Sequence, residues 1–216
     1  MLENKGFDFN TVKDFDNHIS LSIPNYDQLF SIFNNLVNIF SEPNTSVVDY
    51  GCSSGKLLNE TQPKRDCSYF GIDISNLLPE NTDHRSIHFI KQDAIEFGTG
   101  FTGSVSVVVC MFFLQFLGRK KRKSMLEIME RNLNEGATLL IAEKIILNDA
   151  YINNLLFNLH MAEKRKHFND QEILDKNYQL LNSMYCKEEA VLLNELSFGT
   201  VTKVWQSYNF CGYVVR

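Results

Sequence analysis

The sequence predicts an α/β fold: a Rossmann-like, seven-stranded, mostly parallel sheet with a C-terminal antiparallel hairpin and helical N-terminal and lid segments. Three observations predict it. Short apolar runs at 46–50, 69–73, 87–92, 105–113 and 137–142 alternate with more polar or helix-period stretches, the pattern of parallel strands joined by crossovers. The first run ends in a glycine turn, VVDYGCSSG (47–55), where a strand gives way to a new segment. The last two runs, 200–208 and 211–215, are separated by a very short turn and therefore pair antiparallel.

Taken in order, residues 1–10 read as a loosely held arm. Val12, Phe15, Ile19 and Ser22 recur at helical spacing over 11–22, and Pro24 ends that element. A second amphipathic helix over 26–40 carries Leu29, Phe30, Phe33, Leu36, Val37 and Phe40. Both precede the first strand and are placed to fold over its ligand-facing end. After the glycine turn, 55–60 allows only a short helix before Pro63, and 74–86, with Pro79, leaves the next crossover helix short or missing. The run at 105–113 is so apolar that both of its faces should be covered. A helix over 119–133, a turn at 134–136 and the strand 137–142 follow. Two long helices with mixed polar faces, 149–168 and 170–185, read as an insertion that caps a site. A last helix over 187–196 leads to the hairpin. Five parallel strands closed by a hairpin are the outline of class I methyltransferases. One domain over 1–216 is expected, with N-terminal helices in 1–44 and a helical lid in 147–186.

Length and composition agree with that size. The 216 residues are 44% hydrophobic and 22% charged, a soluble globular composition. Twenty-one Lys and Arg against 26 Asp and Glu give a net charge of −5, so the chain lacks the basic footprint of a dedicated nucleic-acid binder. Five scattered cysteines without a CxxC pair argue against a disulfide framework or zinc site and for a reducing compartment. No apolar run is long enough to span a bilayer. A cytoplasmic protein with no membrane partner is expected.

The glycine turn carries the chemistry. Gly51 and Gly55 bracket it, tolerating positive φ and a close ligand approach, and Asp49 adds a carboxylate. Asp73 closes the second strand roughly twenty residues on, the spacing at which an acid takes both hydroxyls of a ribose. The dinucleotide fingerprint needs further glycines where Ser53 and Lys56 stand, and no Gly-Lys-Ser/Thr follows, so a pyrophosphate or triphosphate is disfavoured. A cofactor with a ribose and no phosphate fits: S-adenosyl-L-methionine, leaving as S-adenosyl-L-homocysteine. Gly51, Asp73, Asp93 and Cys110 to Phe113 fall at the carboxyl ends of four strands, where ligands bind in such sheets. Asp93 is read equally as an adenine contact, with the next amide on a ring nitrogen, and as a helix N-cap. Met111, Phe112 and Phe113 form either the mouth of an apolar acceptor channel or plain core. No Asp/Asn-Pro-Pro-Tyr/Phe sequence stands there, which disfavours amino-group methylation by that route.

Residues 119–123, RKKRK, are read chiefly as a solvated face, with a phosphate or RNA contact as the alternative. His160, Glu163 and His167 share a helical face, but without a fourth partner no metal is expected, and His160 is instead the candidate lid-lining catalytic acid or base.

The stretches FDFNTVKDFDNHISLSIPNYDQL, VVDYGCSSG, FGIDIS, FFLQFL, LNEGATLLIAEK and LLFNLHMAEKRK together resemble the bacterial carboxy-S-adenosylmethionine synthases, from about Phe7 to the C-terminus. The resemblance implies a class I methyltransferase fold, a homodimer and a cofactor site. By position, Tyr26 touches the cofactor, Gly51, Cys52 and Ser53 supply turn contacts, Asp73 and Ile74 meet the ribose, and Asp93 and Ala94 meet the adenine. Two positions depart. Met111 stands where the family has an asparagine. Asn177, in EILDKN, stands where it has an arginine that grips the cofactor's extra carboxylate; a neutral amide lacks that bidentate charge, and Arg165 or Lys176 are the nearby substitutes. The expected function is therefore transfer of an ordinary methyl group to a small or medium-sized acceptor on the synthase scaffold. The alternatives are the synthase reaction itself, from S-adenosylmethionine and prephenate for wobble-uridine modification, and a non-catalytic cofactor-binding partner subunit.

Overall fold

A computed structural model describes residues 8–12, 14–80 and 84–216. The expected arm lies mostly outside the described residues. Asp8, its first described residue, accepts a hydrogen bond from the Asn10 amide and caps a single 3-10 turn, Phe9–Thr11. Helix α1 (Phe15–Ser22) starts later than residue 11 because Asp14 caps it, its carboxylate accepting from the Asn17 amide. Helix α2 (Tyr26–Phe40) follows an Asn25 in the left-handed region, and then come β1 (Ser46–Tyr50), α3 (Lys56–Asn59) and β2 (Ser68–Asp73). The described part of 74–86 holds no helix before β3 (Ile87–Lys91).

Helix α4 (Ala94–Gly100), which has no periodic pattern in the sequence and two glycines, follows from the N-cap reading of Asp93, whose carboxylate accepts from the Ile95 and Glu96 amides. Strand β4 (Val105–Met111) stops short of 113 because Phe112 turns to φ 57°. After α5 (Arg119–Asn134), β5 (Thr138–Ile146) runs past its expected end through Glu143 and Lys144. The lid helices are α6 (Ala150–Lys164) and α7 (Asp170–Leu181). The two residues of β6 (Lys187–Glu188) pair with β5 before α8 (Glu189–Glu195), β7 (Val201–Ser207) and β8 (Phe210–Val215).

The main sheet runs β3-β2-β1-β4-β5-β8-β7, parallel from β3 to β5 and antiparallel from there on, with β6 off this path. Alternation along each strand divides the core in two. Val107 and Val109 of β4 pack with Leu29, Phe33 and Val37 of α2, whereas Val108 and Cys110 pack with Met125, Ile128 and Met129 of α5. Leu29 and Phe33 are fully buried, each contributing about 1.5–3 kcal/mol of transfer free energy. Order reverses between β1 and β4, so the crevice at the carboxyl ends of β1, β2 and β4 is the switch point where such sheets bind ligands.

Candidate functional site

At that crevice lies a cavity of about 510 Å³, within the usual range for small-molecule sites. The glycine turn forms one wall. Gly51 has φ 75°, and a Cβ there would lie 2.4 Å from the Phe113 ring; Gly55 has φ 70°, with a Cβ 2.3 Å from the Phe89 ring. Both positions thus need glycine twice over, for backbone and for space. Four of the turn's amides are used within the fold. Gly51 and Cys52 donate to the Ile72 carbonyl, Ser53 to Asp73, and Gly55 to the Cys52 carbonyl. The resemblance-based contacts at Gly51, Cys52 and Ser53 therefore do not come from free amides. Gly51, Cys52, Ser53 and Ser54 line the cavity.

Asp73 sits beside it, one carboxylate oxygen accepting from the Ser53 amide and the other from the Ser75 amide, each at 2.8 Å. Both oxygens keep lone pairs for a diol. Ile74 is largely exposed on the cavity rim. Asp49 is buried, and burial, reinforced by Asp73, pushes its carboxyl up to about 8, so it carries a proton at neutral pH. Burial, reinforced by Asp49 and Asp73, also pushes the Cys52 thiol up, which makes it an unreactive wall group.

Asp93 is a helix N-cap, one of its two readings. Its Oδ1 caps α4 and its Oδ2 meets Lys121 Nζ at 2.6 Å, while the Ala94 amide is not used by the cap and Ala94 lines the cavity. Hydrogen bonding to Lys121 is the chief reason its carboxyl titrates below the usual range. Met111, Phe112 and Phe113 all line the cavity, and Phe112 packs between Tyr26 (6.4 Å) and Phe210 (5.9 Å). Tyr26 is buried, and burial, with Asp16 and Asp49 adding to it, raises its phenol. An adenosyl sulfonium fits these residues: Asp73 as a diol acceptor and an apolar floor of Met111, Phe112 and Phe113.

The lid end is cationic. His160, 1% exposed, donates from Nε2 to the Ser22 carbonyl at 2.9 Å, which leaves Nδ1 buried without a partner. Burial, with Lys164, Lys144 and Lys176 adding repulsion, lowers it to about 4. Four residues along α6, Lys164 is 6% exposed; burial and Lys144 lower it to about 8. Lys144 of β5 lies 5.6 Å from the Phe210 ring and 5.8 Å from the Phe157 ring. Lys176 of α7, lowered to about 7 by burial and the other two lysines, hydrogen bonds to Ser22 Oγ and His18. His18 is lowered to about 4 by burial, then by Lys176 and Lys164. Sequence reasoning missed Lys144, Lys164 and His18, although the His160–Lys164 spacing on one helical face was a usable signal.

Other expectations are corrected. Arg165 is exposed and pairs with Asp170 at 2.8 Å, outside the cavity, because it follows the last turn of α6. Asn177 contacts Met161 Sδ and does not line the cavity either. Of the three cations and amides proposed to meet a carboxylate, only Lys176 does line it. Glu163 pairs with Lys166, and His167 is exposed. The basic run is not a uniform solvated face: Arg122 is 3% exposed, held by Glu195 at 2.6 Å with Glu143 at 3.9 Å, and Lys121 is taken by Asp93.

The methyltransferase domain family matches residues 47–136, the glycine turn to the end of α5. Carboxy-S-adenosyl-L-methionine synthase of Actinobacillus succinogenes is 31% identical, covering 94% of this chain and 90% of the relative. The synthase of Klebsiella pneumoniae is 29% identical, covering 94% and 87%. Human N-acetylserotonin methyltransferase in complex with SAM superposes with a TM-score of 0.59 at 14% identity, over 89% of this chain and 51% of that protein, a likeness of fold. The long match to the synthases, through the glycine turn and the lid alike, means that the chain belongs to the carboxy-S-adenosyl-L-methionine synthase family of S-adenosylmethionine-dependent, class I methyltransferase enzymes.

Proposed function

We propose that this enzyme transfers a methyl group from S-adenosyl-L-methionine to a small or medium-sized acceptor held between the glycine turn and the lid. The observation that carries it is the single cavity that joins Asp73 and Gly51 at one end to His160 at the other. The cofactor supplies an electrophilic methyl group beside a positive sulfur. Asp73 holds the ribose, Asp93 and the Ala94 amide hold the adenine, and Met111, Phe112 and Phe113 align the acceptor and exclude water. With a value of about 4, His160 stays neutral at physiological pH and its Nδ1 lone pair is a weak base, so an acceptor that arrives deprotonated is preferred.

Calorimetry with S-adenosyl-L-homocysteine tests the cofactor half: uptake in the wild type, weakened in Asp73→Asn, supports it, and no uptake by the wild type refutes it. A second reading, synthesis of carboxy-S-adenosyl-L-methionine, is favoured by the lysine-lined lid end and the names of the relatives. Mass spectrometry of the ligand carried through purification separates the two, since a carboxylated cofactor establishes the second.

A homodimer is supported by apolar stripes on the lid helices: Tyr151, Leu155 and Leu159 on α6, and Leu174, Tyr178 and Leu181 on α7, are 43–81% exposed. The chain is read as one domain with residues 147–186 as its lid. The broken basic run gives RNA no continuous patch. Among the described residues no helix is long and apolar enough to cross a membrane, and the unpaired cysteines suit the cytoplasm.

A further inference from the structure

We infer that Lys121 is a positioning residue for base recognition: it fixes the Asp93 carboxylate beside the cavity so that a lone pair is available to the amino group of an adenine. Asp93 divides its oxygens between two helices. Oδ1 accepts from the Ile95 and Glu96 amides at the start of α4, and Oδ2 meets Lys121 Nζ of α5 at 2.6 Å. A carboxylate held at both oxygens keeps one orientation, and Oδ2 retains a second acceptor site. Asp93 and Lys121 both line the cavity, with Ala94, Ile95 and Leu117. Of the five cations at 119–123, only Lys121 does so. Stability does not account for this lysine. It is the third residue of α5, where the helix dipole disfavours a positive charge, and Gly118 supplies no side-chain cap. The two side chains are 61% and 26% exposed, and pairs so open to water contribute little to folding. The contact between α4 and α5 is secured elsewhere, by Arg131 Nη2 donating to the Gly98 carbonyl at 2.7 Å. Arg122 turns inward to Glu195, and Lys123 pairs along the helix with Glu127 at 3.8 Å. Hydrogen bonding to Lys121 also keeps Asp93 ionised, as an anionic acceptor for an N–H donor.

This inference rests on the S-adenosyl-L-methionine reading and deepens it by naming what orients the base. Calorimetry at pH 7 on the full chain, with S-adenosyl-L-homocysteine as the probe, tests it. Lys121→Met should weaken binding by about threefold or more, and Lys121→Arg, which keeps the charge and the hydrogen bond, by less than about threefold. Asp93→Asn retains a helix cap, since asparagine caps as well as aspartate, but removes the anion that Lys121 holds. In that background Lys121→Met should change affinity by less than about threefold, because the lysine then has nothing to position. Lys123→Met, on the same helix outside the cavity, controls for the loss of one positive charge and should bind as the wild type does. Urea unfolding of Lys121→Met should match the wild type. A smaller loss or a gain in Lys121→Met, an equal loss in Lys123→Met, an arginine that does not rescue, or a loss that persists in full beside Asp93→Asn overturns the inference. Uptake by the wild type with any of these results refutes the role of Lys121 alone. No uptake by the wild type refutes the cofactor reading, and the role of Lys121 with it.

Discussion

Replacing Lys164 by methionine should make the ligand-free protein more stable. The ammonium is 6% exposed, pairs with no carboxylate among the described residues, and is lowered from 10.5 to about 8 by burial and Lys144. At about 1.4 kcal/mol per pKa unit, this difference withholds about 3 kcal/mol of stability while the side chain is charged. The sign follows from proton counting. At pH 7 folded and unfolded chains both carry the proton and the cost is present almost in full. Between about 8 and 10.5 the folded chain has released it and the unfolded chain has not, so stability rises with pH. Above 10.5 the cost is gone. Methionine keeps the apolar stem and removes the charge. Urea unfolding under reducing conditions should show Lys164→Met about 3 kcal/mol more stable than the wild type at pH 7, the gap narrowing to under about 1 kcal/mol at pH 10.5. Subtracting the variant from the wild type cancels the cysteines, tyrosines and buried acids that titrate in both. A variant less stable than the wild type at pH 7, or a gap independent of pH, refutes the reasoning.

Gly51→Ala forces φ 75° on a residue with a Cβ and drives it against Phe113; a loss of about 1–3 kcal/mol in urea unfolding is expected, with at least a tenfold loss of S-adenosyl-L-homocysteine affinity. Asp73→Asn replaces an anionic diol acceptor that also ties Ser53 to Ser75, and calorimetry should show affinity for the same ligand falling by roughly tenfold or more. Arg122→Met removes the partner of Glu195 and faces the buried Glu143; thermal and urea unfolding should show a loss of about 3 kcal/mol.

The placing of the glycine turn beside Asp73 was legible because its signals are local. The turn from β1 into α3 is written in one short stretch, and Asp73 stands at the end of the next strand, so strand order plus spacing brings them together. The lid half was not legible, because its contacts are distant. His160 meets Ser22 across 138 residues, and Arg122 meets Glu195 across 73. Nothing near Arg122 distinguishes it from the four cations beside it, and nothing near Asn177 says that Lys176 turns inward while Asn177 meets Met161. Helix α4 was signalled only by its cap, Asp93, for a different reason. Its two glycines lower intrinsic helix propensity, and what holds it is the Asp93 cap together with burial of Ala94 and Gly98.

The chain contains its own control for reading Lys144 and Lys164. Where it buries a cation to brace the fold, it supplies the opposite charge: Arg122 has Glu195 at 2.6 Å and a second acid nearby, and it does not line the cavity at the crevice. At the lid end the same chain buries ammonium groups from separate elements against aromatic rings and imidazoles, with the cavity open before them. Sequence length and composition do not force that difference, since Glu163 stands one residue from Lys164 and is spent on Lys166 instead. Burying an ammonium without a carboxylate lowers stability, so Lys164 carries a cost that Arg122, held by its acids, does not.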